Sequence, residues 1–136
     1  MAIIAPSLLS ANFINLQADC EMLNASEADW YHLDVMDGRF VPNITFGPMI
    51  IEFLRKASSK TFDVHLMIEN PERYIDAFAS AGSDIITVHV EASTHLHRII
   101  TAIREKGKKA GVSLNPATPL SAVEQILPEV HLLLVM

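Results

Sequence analysis

The chain has 136 residues, half of them hydrophobic, which is one domain's worth and long enough to bury a core. A net charge of −6 with no basic run excludes nucleic acid as a partner, and no apolar run approaches the roughly 20 residues of a membrane span. Cys20 stands alone, so a disulfide framework is excluded and a reducing, cytoplasmic setting is expected.

In chain order, the opening MAIIAPSLLSANF has neither the basic leader of a secretory signal nor the Arg-rich character of a transit peptide. Ile3 to Leu8 reads as a strand that ends in a loop at Ser7. Asn15 to Asn24 has helical spacing at Leu16, Cys20 and Leu23, which makes Cys20 a small hydrophobe on a buried helix face. A strand begins at Trp30 and breaks at Asp37-Gly38 into a loop with Pro42, Asn43 and Gly47. A helix opens at Pro48 and runs through Ile51, Phe53 and Leu54. A strand from Phe62 leads to Asn70-Pro71-Glu72, where Asn70 is placed to cap and Pro71 suits a first helical turn. The helix that follows carries Tyr74, Ile75 and Phe78, and Gly82 closes it. Asp84 to Val90 is an apolar strand, Thr94 to Lys106 a helix, and Ala110 to Leu114 a strand. Thr118-Pro119 opens a further helix, and His131 to Met136 is a last apolar strand.

Strand starts recur roughly every 22 to 32 residues, the length of a βα unit. Apolar strands alternating with helices imply an α/β fold with a parallel sheet covered on both sides. Periodicity alone leaves a closed barrel and an open doubly wound sheet equally admissible. Polar candidates (Ser7, Asp34, His65, His89, Asn115) all fall at strand C-terminal ends, where both folds gather their sites.

Two strands carry the chemistry. His32, Asp34 and Met36 stand two apart in WYHLDVMDG, so an imidazole, a carboxylate and a thioether project from one face. Asp63, His65 and Met67 repeat the spacing in FDVHLMIENP. Such side chains are costly to bury unless they meet a metal, a ligand or one another. On parallel neighbouring strands about 4.8 Å apart, His32 and His65 reach one ion. The competing reading of each residue is structural: Met36 and Met67 as core filler, and Asp63 as a buried hydrogen-bond partner behind the site. His89 and Asn115 stand evenly between site and structural roles. His95, His97 and His131 read as surface or packing residues.

The motifs IAPSLLSANF, HLDVMDGRFVPNITFGP, DVHLMIENPERYI, DIITVHVEA and GVSLNPATPL closely resemble the ribulose-phosphate 3-epimerase family, from Ile3 to Met136. The resemblance implies a parallel (β/α)8 TIM barrel of which about the first five and a half βα units are present, through the sixth strand. Residues 1–136 are then a single barrel domain, C-terminally incomplete, and the abrupt stop after HLLLVM reads as a cut. It also implies a metal-dependent isomerase of the pentose phosphate pathway that interconverts ribulose 5-phosphate and xylulose 5-phosphate. His32, Asp34 and His65 match three of four metal ligands, and the fourth, an Asp on the seventh strand, has no counterpart here. Asp34 matches one of two acid/base residues, and the absent Asp is the other. Ser7 and His65 match substrate contacts, and Met36, Met67 and Met136 match methionines that line the pocket. The implied ion is divalent, foremost Zn2+, with Fe2+, Mn2+ or Co2+ as alternatives. The implied partner is a small sugar phosphate, and the family self-associates into dimers and larger assemblies.

Inverting a carbon beside a ketone removes a proton from one face and returns one to the other, through an enediolate. That calls for two carboxyl groups, of which this chain holds one, so the 136-residue species is expected to be inactive. Two alternatives stand beside this reading: a non-catalytic fragment that self-associates or binds metal weakly, and an allulose-phosphate 3-epimerase, which shares the same motif block.

Overall fold

The computed structural model describes residues 2–136. Five parallel strands form one sheet in the order β1-β2-β3-β4-β5: Trp30–Met36, Thr61–Met67, Ile85–His89, Lys109–Leu114 and Leu132–Val135. Helices α1 (Leu16–Ala25), α2 (Pro48–Ala57), α3 (Ile75–Ala81) and α4 (Leu96–Glu105) alternate with them. Spatial order that equals chain order settles the question that periodicity leaves open. Right-handed crossovers that never reverse direction place every helix on the same side of the sheet. The result is a half-barrel, with its helices outside.

The core accordingly lies on one face. Tyr31, Leu33, Val35, Phe62, Val64, Leu66, Ile86, Val88, Ala110 and Val112 pack with Cys20, Ile51, Leu54, Phe78, Ile99 and Ile103 of the helices. The expectation of a sheet covered on both sides is thereby corrected: among the described residues the concave face carries no helix. That face holds the residues between the core positions, including Asp34, Asp63, His65, Thr87, His89 and Ser113, all buried.

Three predicted elements differ. Ile3 to Leu8 forms no strand; Ser7 makes a single parallel bridge to His32 and a 3-10 turn follows at Leu8–Ser10. The segment accepts like a strand, with Ile4 O bonded to Asp29 N and Trp30 N and Pro6 O bonded to His32 N. Pro6 has no N–H to return, so the ladder is one-sided. The helix expected from Thr118 is two 3-10 turns, Leu120–Ala122 and Leu127–Glu129. Pro128 has no N–H to donate and its ring clashes with the preceding turn, so a helix cannot continue through it. After β2, Pro71 opens only a 3-10 turn, and Asn70 caps nothing; it sits at φ +49, a left-handed turn position. Gly82 ends α3 at φ +112 as expected.

Gly111 shows how tightly the concave face is packed. A Cβ there would lie 2.2 Å from Thr87 Oγ1 and 3.0 Å from Thr87 Cβ. Gly111→Ala is expected to lower stability by about 1–3 kcal/mol, the usual cost of overpacking, read from urea denaturation midpoints. An unchanged midpoint would show that Thr87 has room to move.

Candidate metal centre

The β1–β2 register pairs His32 with Asp63 and Asp34 with His65. Neighbouring strands thus set an imidazole beside a carboxylate twice, once in each order. Asp34 Oδ1 lies 3.1 Å from His32 Nε2 and 3.1 Å from His65 Nδ1. The ligand atoms of His32, Asp34 and His65 all lie within 4.8 Å of one another. The Ser7 hydroxyl donates to the other Asp34 oxygen, Oδ2. One carboxylate therefore has two differently assigned oxygens.

The outer nitrogens are also engaged. His32 Nδ1 lies 2.8 Å from Asp63 Oδ2, and Thr87 Oγ1 donates to Asp63 Oδ1 at 3.2 Å. Asp63 is therefore the buried partner expected behind the site, and it orients a His that would bind through Nε2. His65 Nε2 lies 2.8 Å from His89 Nε2. Imidazoles whose outer nitrogens are hydrogen-bonded are the usual form of His at a metal. Two nitrogens and one oxygen in this arrangement could hold a divalent metal ion.

Electrostatics agree with that donor set. Burial alone would raise the Asp34 carboxyl, but hydrogen bonds from His32, His65 and Ser7 hold it far below the ordinary carboxylate range. Burial would lower His32, yet its bonds to Asp34 and Asp63 raise it to about 9. Without a metal, two carboxylates hold a proton on His32 that a metal would displace.

The other predicted residues are also placed. Met36 and Met67 are register partners on the same face, Met67 buried and Met36 partly so. Met136 follows β5 with its N–H bonded to Leu114 O, and its side chain is exposed. His89 belongs to the buried network, and Asn115 contributes its backbone N–H, to Glu91, rather than a cap. His95, His97 and His131 are exposed, and Cys20 is buried. Glu91, Thr87 and Phe40 went unrecognised in the sequence; the His89-x-Glu91 spacing at a strand end was the available signal. Among the described residues, Ser113 Oγ is the one buried side-chain polar atom without a partner. A groove lined by Arg39, Phe46, Asn70 and Arg73 lies beside the cluster and includes none of the three ligand candidates.

Comparison with known proteins decides the family. Residues 3–136 match the ribulose-phosphate 3 epimerase family. The chain belongs to that family. It is 56% identical over 136 residues to ribulose-phosphate 3-epimerase of Synechocystis sp., covering 98% of this chain and 59% of the relative. It is 53% identical over 133 residues to the Bacillus subtilis protein of the same name, covering 98% and 61%. The chloroplastic ribulose-5-phosphate-3-epimerase of Arabidopsis thaliana is 50% identical over 136 residues, with 98% and 48% covered. The chain thus spans 48% to 61% of the length of these relatives. In structure it overlays the N-terminal domain of a Bacteroides vulgatus protein described as an aldolase, with TM-score 0.61 at 14% identity, over 98% of this chain and 54% of that one. That likeness concerns the fold alone and agrees with a part of a (β/α) barrel. No helix among the described residues is long and apolar enough to cross a membrane.

The raised His32 has a measurable consequence. Because its folded value of about 9 lies above the ordinary 6.5, its contribution to stability is full below about pH 6.5 and is lost as pH rises through about 9. Metal must displace the same proton, so apparent zinc affinity should rise about tenfold per pH unit from pH 7 to 9 and then level off. Calorimetry in buffers of different ionisation enthalpy should count about one proton released per ion at neutral pH. Affinity independent of pH, with no proton released, would contradict the assignment of His32.

Proposed function

We propose that this chain forms the N-terminal part of a metal-dependent ribulose-phosphate 3-epimerase site, with His32, Asp34 and His65 holding a divalent ion and Asp34 transferring a proton at C3. The observation that carries this reading is the single Asp34 oxygen shared at 3.1 Å by His32 Nε2 and His65 Nδ1. Family membership supports the substrate class, a five-carbon ketose phosphate. Family resemblance makes zinc the foremost ion, with Fe2+, Mn2+ or Co2+ as alternatives, and the two-imidazole, one-carboxylate donor set suits any of them. When bound, the ion supplies electrostatic stabilisation of the negative charge that develops on the substrate oxygens.

The chain's own residues do the rest. With Oδ1 of Asp34 turned toward the imidazoles, Oδ2 is the atom left for proton transfer, and Ser7 holds it in place. The donors that keep Asp34 ionised also make it a weak base, so the Ser7 hydroxyl must turn its hydrogen bond from Oδ2 to a substrate oxygen as Oδ2 takes the C3 proton. Met36 and Met67 offer a polarizable lining with no proton of their own to exchange, and Met136 extends that lining from β5. Inversion needs a second acid on the opposite face. Asp63 is unsuited to that task, since His32 and Thr87 occupy its oxygens.

Self-association and a cytoplasmic setting belong to the same proposal. Exposed Phe13, Ile14, Ile44, Met49 and Phe53 favour the first, and the free thiol of Cys20 favours the second.

Two measurements test the reading. In a barrel completed with the remaining residues of the Synechocystis relative, Asp34→Asn should reduce solvent-deuterium exchange at C3 by roughly 10²- to 10⁴-fold. Exchange at the unmutated rate would remove Asp34 from the chemistry. The 136-residue chain alone should give no net conversion of ribulose 5-phosphate to xylulose 5-phosphate; conversion would mean that a second proton donor exists within it.

A further inference from the structure

The polar row on the concave face continues past the ligand candidates to β3 and β4. His32 Nδ1 lies 2.8 Å from Asp63 Oδ2, while its Nε2 lies 3.1 Å from Asp34 Oδ1 and is aimed into the cluster. The ring is thus steered from behind by a buried carboxylate. A carboxylate turns about its terminal bond with little preference of its own, so something must hold the plane of Asp63. Its other oxygen, Oδ1, accepts from Thr87 Oγ1 at 3.2 Å. An ionised carboxylate only accepts, so the hydroxyl is the donor. Among the described residues, Thr87 is the one partner of the Asp63 side chain besides His32 itself.

Thr87 is itself fixed. It is 0% exposed, and the register seats it between His65 of β2 and Gly111 of β4. A β-branched side chain has few rotamers open to it. A Cβ at position 111 would lie 2.2 Å from Thr87 Oγ1, so the hydroxyl occupies space that glycine leaves free. A residue needed only to fill that space would serve equally well as valine. What the hydroxyl adds is a donor to a buried acceptor that is costly to leave unmet.

We propose that Thr87 is a positioning residue for the metal centre: it fixes the Asp63 carboxylate, which holds the His32 ring with Nε2 toward the ion. The purpose of this contact rests on the metal-centre reading, whereas the order of the His32 ring is a property of the metal-free chain. Thr87→Val keeps the branched shape and removes the donor. Thr87→Ser keeps the donor and Thr87→Ala lacks it, a pair that differs by the hydroxyl alone.

Zinc competition against a chromophoric chelator should show Thr87→Val and Thr87→Ala weaker by roughly 10-fold, the lower end of the loss for an orienting partner. Thr87→Ser should stay close to the unmutated chain. Carbon-13 relaxation of the His32 ring in the metal-free 136-residue chain should show a rigid ring in the unmutated chain and in Thr87→Ser. The ring should be mobile in Thr87→Val and Thr87→Ala. An unmutated chain that binds no zinc would sink the metal centre, yet ring relaxation would still judge Thr87. The positioning role is overturned if His32 stays rigid in both variants that lack the hydroxyl, or if Thr87→Ser loses as much zinc affinity as Thr87→Ala. A fall in urea midpoint shared by all three variants, with zinc affinity unchanged, would make Thr87 a packing residue and equally overturn it.

Discussion

The molecule depends on one shared carboxylate. Asp34 takes two imidazoles on one oxygen and a serine hydroxyl on the other, from three separate segments of chain. Two of the imidazole nitrogens and that oxygen bring three acceptor-capable atoms together in a largely dry place. Such a cluster is unfavourable unless a proton or a cation occupies its centre. In the metal-free chain a proton on His32 serves, which is why its affinity for that proton is raised to about 9. A divalent ion would do the same work with more charge.

The fold makes this possible through parity. Alternate residues of β1 and β2 face opposite ways, so Tyr31, Leu33, Phe62 and Val64 fill the helical side while His32, Asp34, Asp63 and His65 share the other. Apolar burial against the helices stabilises the sheet, and the polar row is carried with it. Small residues on β4 complete the arrangement. Gly111 leaves room for Thr87, which holds Asp63, which in turn orients His32. Packing three strands away thus bears on where one nitrogen points.

Much of this was legible in the residues because it depends on local spacing. The two-residue intervals of His32-Asp34 and Asp63-His65 determine a face, and short βα units determine neighbouring parallel strands. What was illegible depends on partners distant in the chain. Ile3 to Leu8 has strand-like residues, but whether it donates as well as accepts turns on Pro6 and on its place beside β1. Leu120 to Glu129 has helical composition, yet it forms 3-10 turns, and a helix cannot continue through Pro128. The partners of Glu91 carry no mark in its local spacing; the β4–β5 connection brings Asn115 and Thr118 onto its carboxylate from 24 and 27 residues away.

The most direct test is where a metal binds. Anomalous diffraction at the zinc edge from crystals of the zinc-loaded chain should place one ion among His32 Nε2, Asp34 and His65 Nδ1, with bonds of about 2.0–2.2 Å. Zinc found instead on the exposed His95 and His97, or on no ordered site, would contradict the account at its centre.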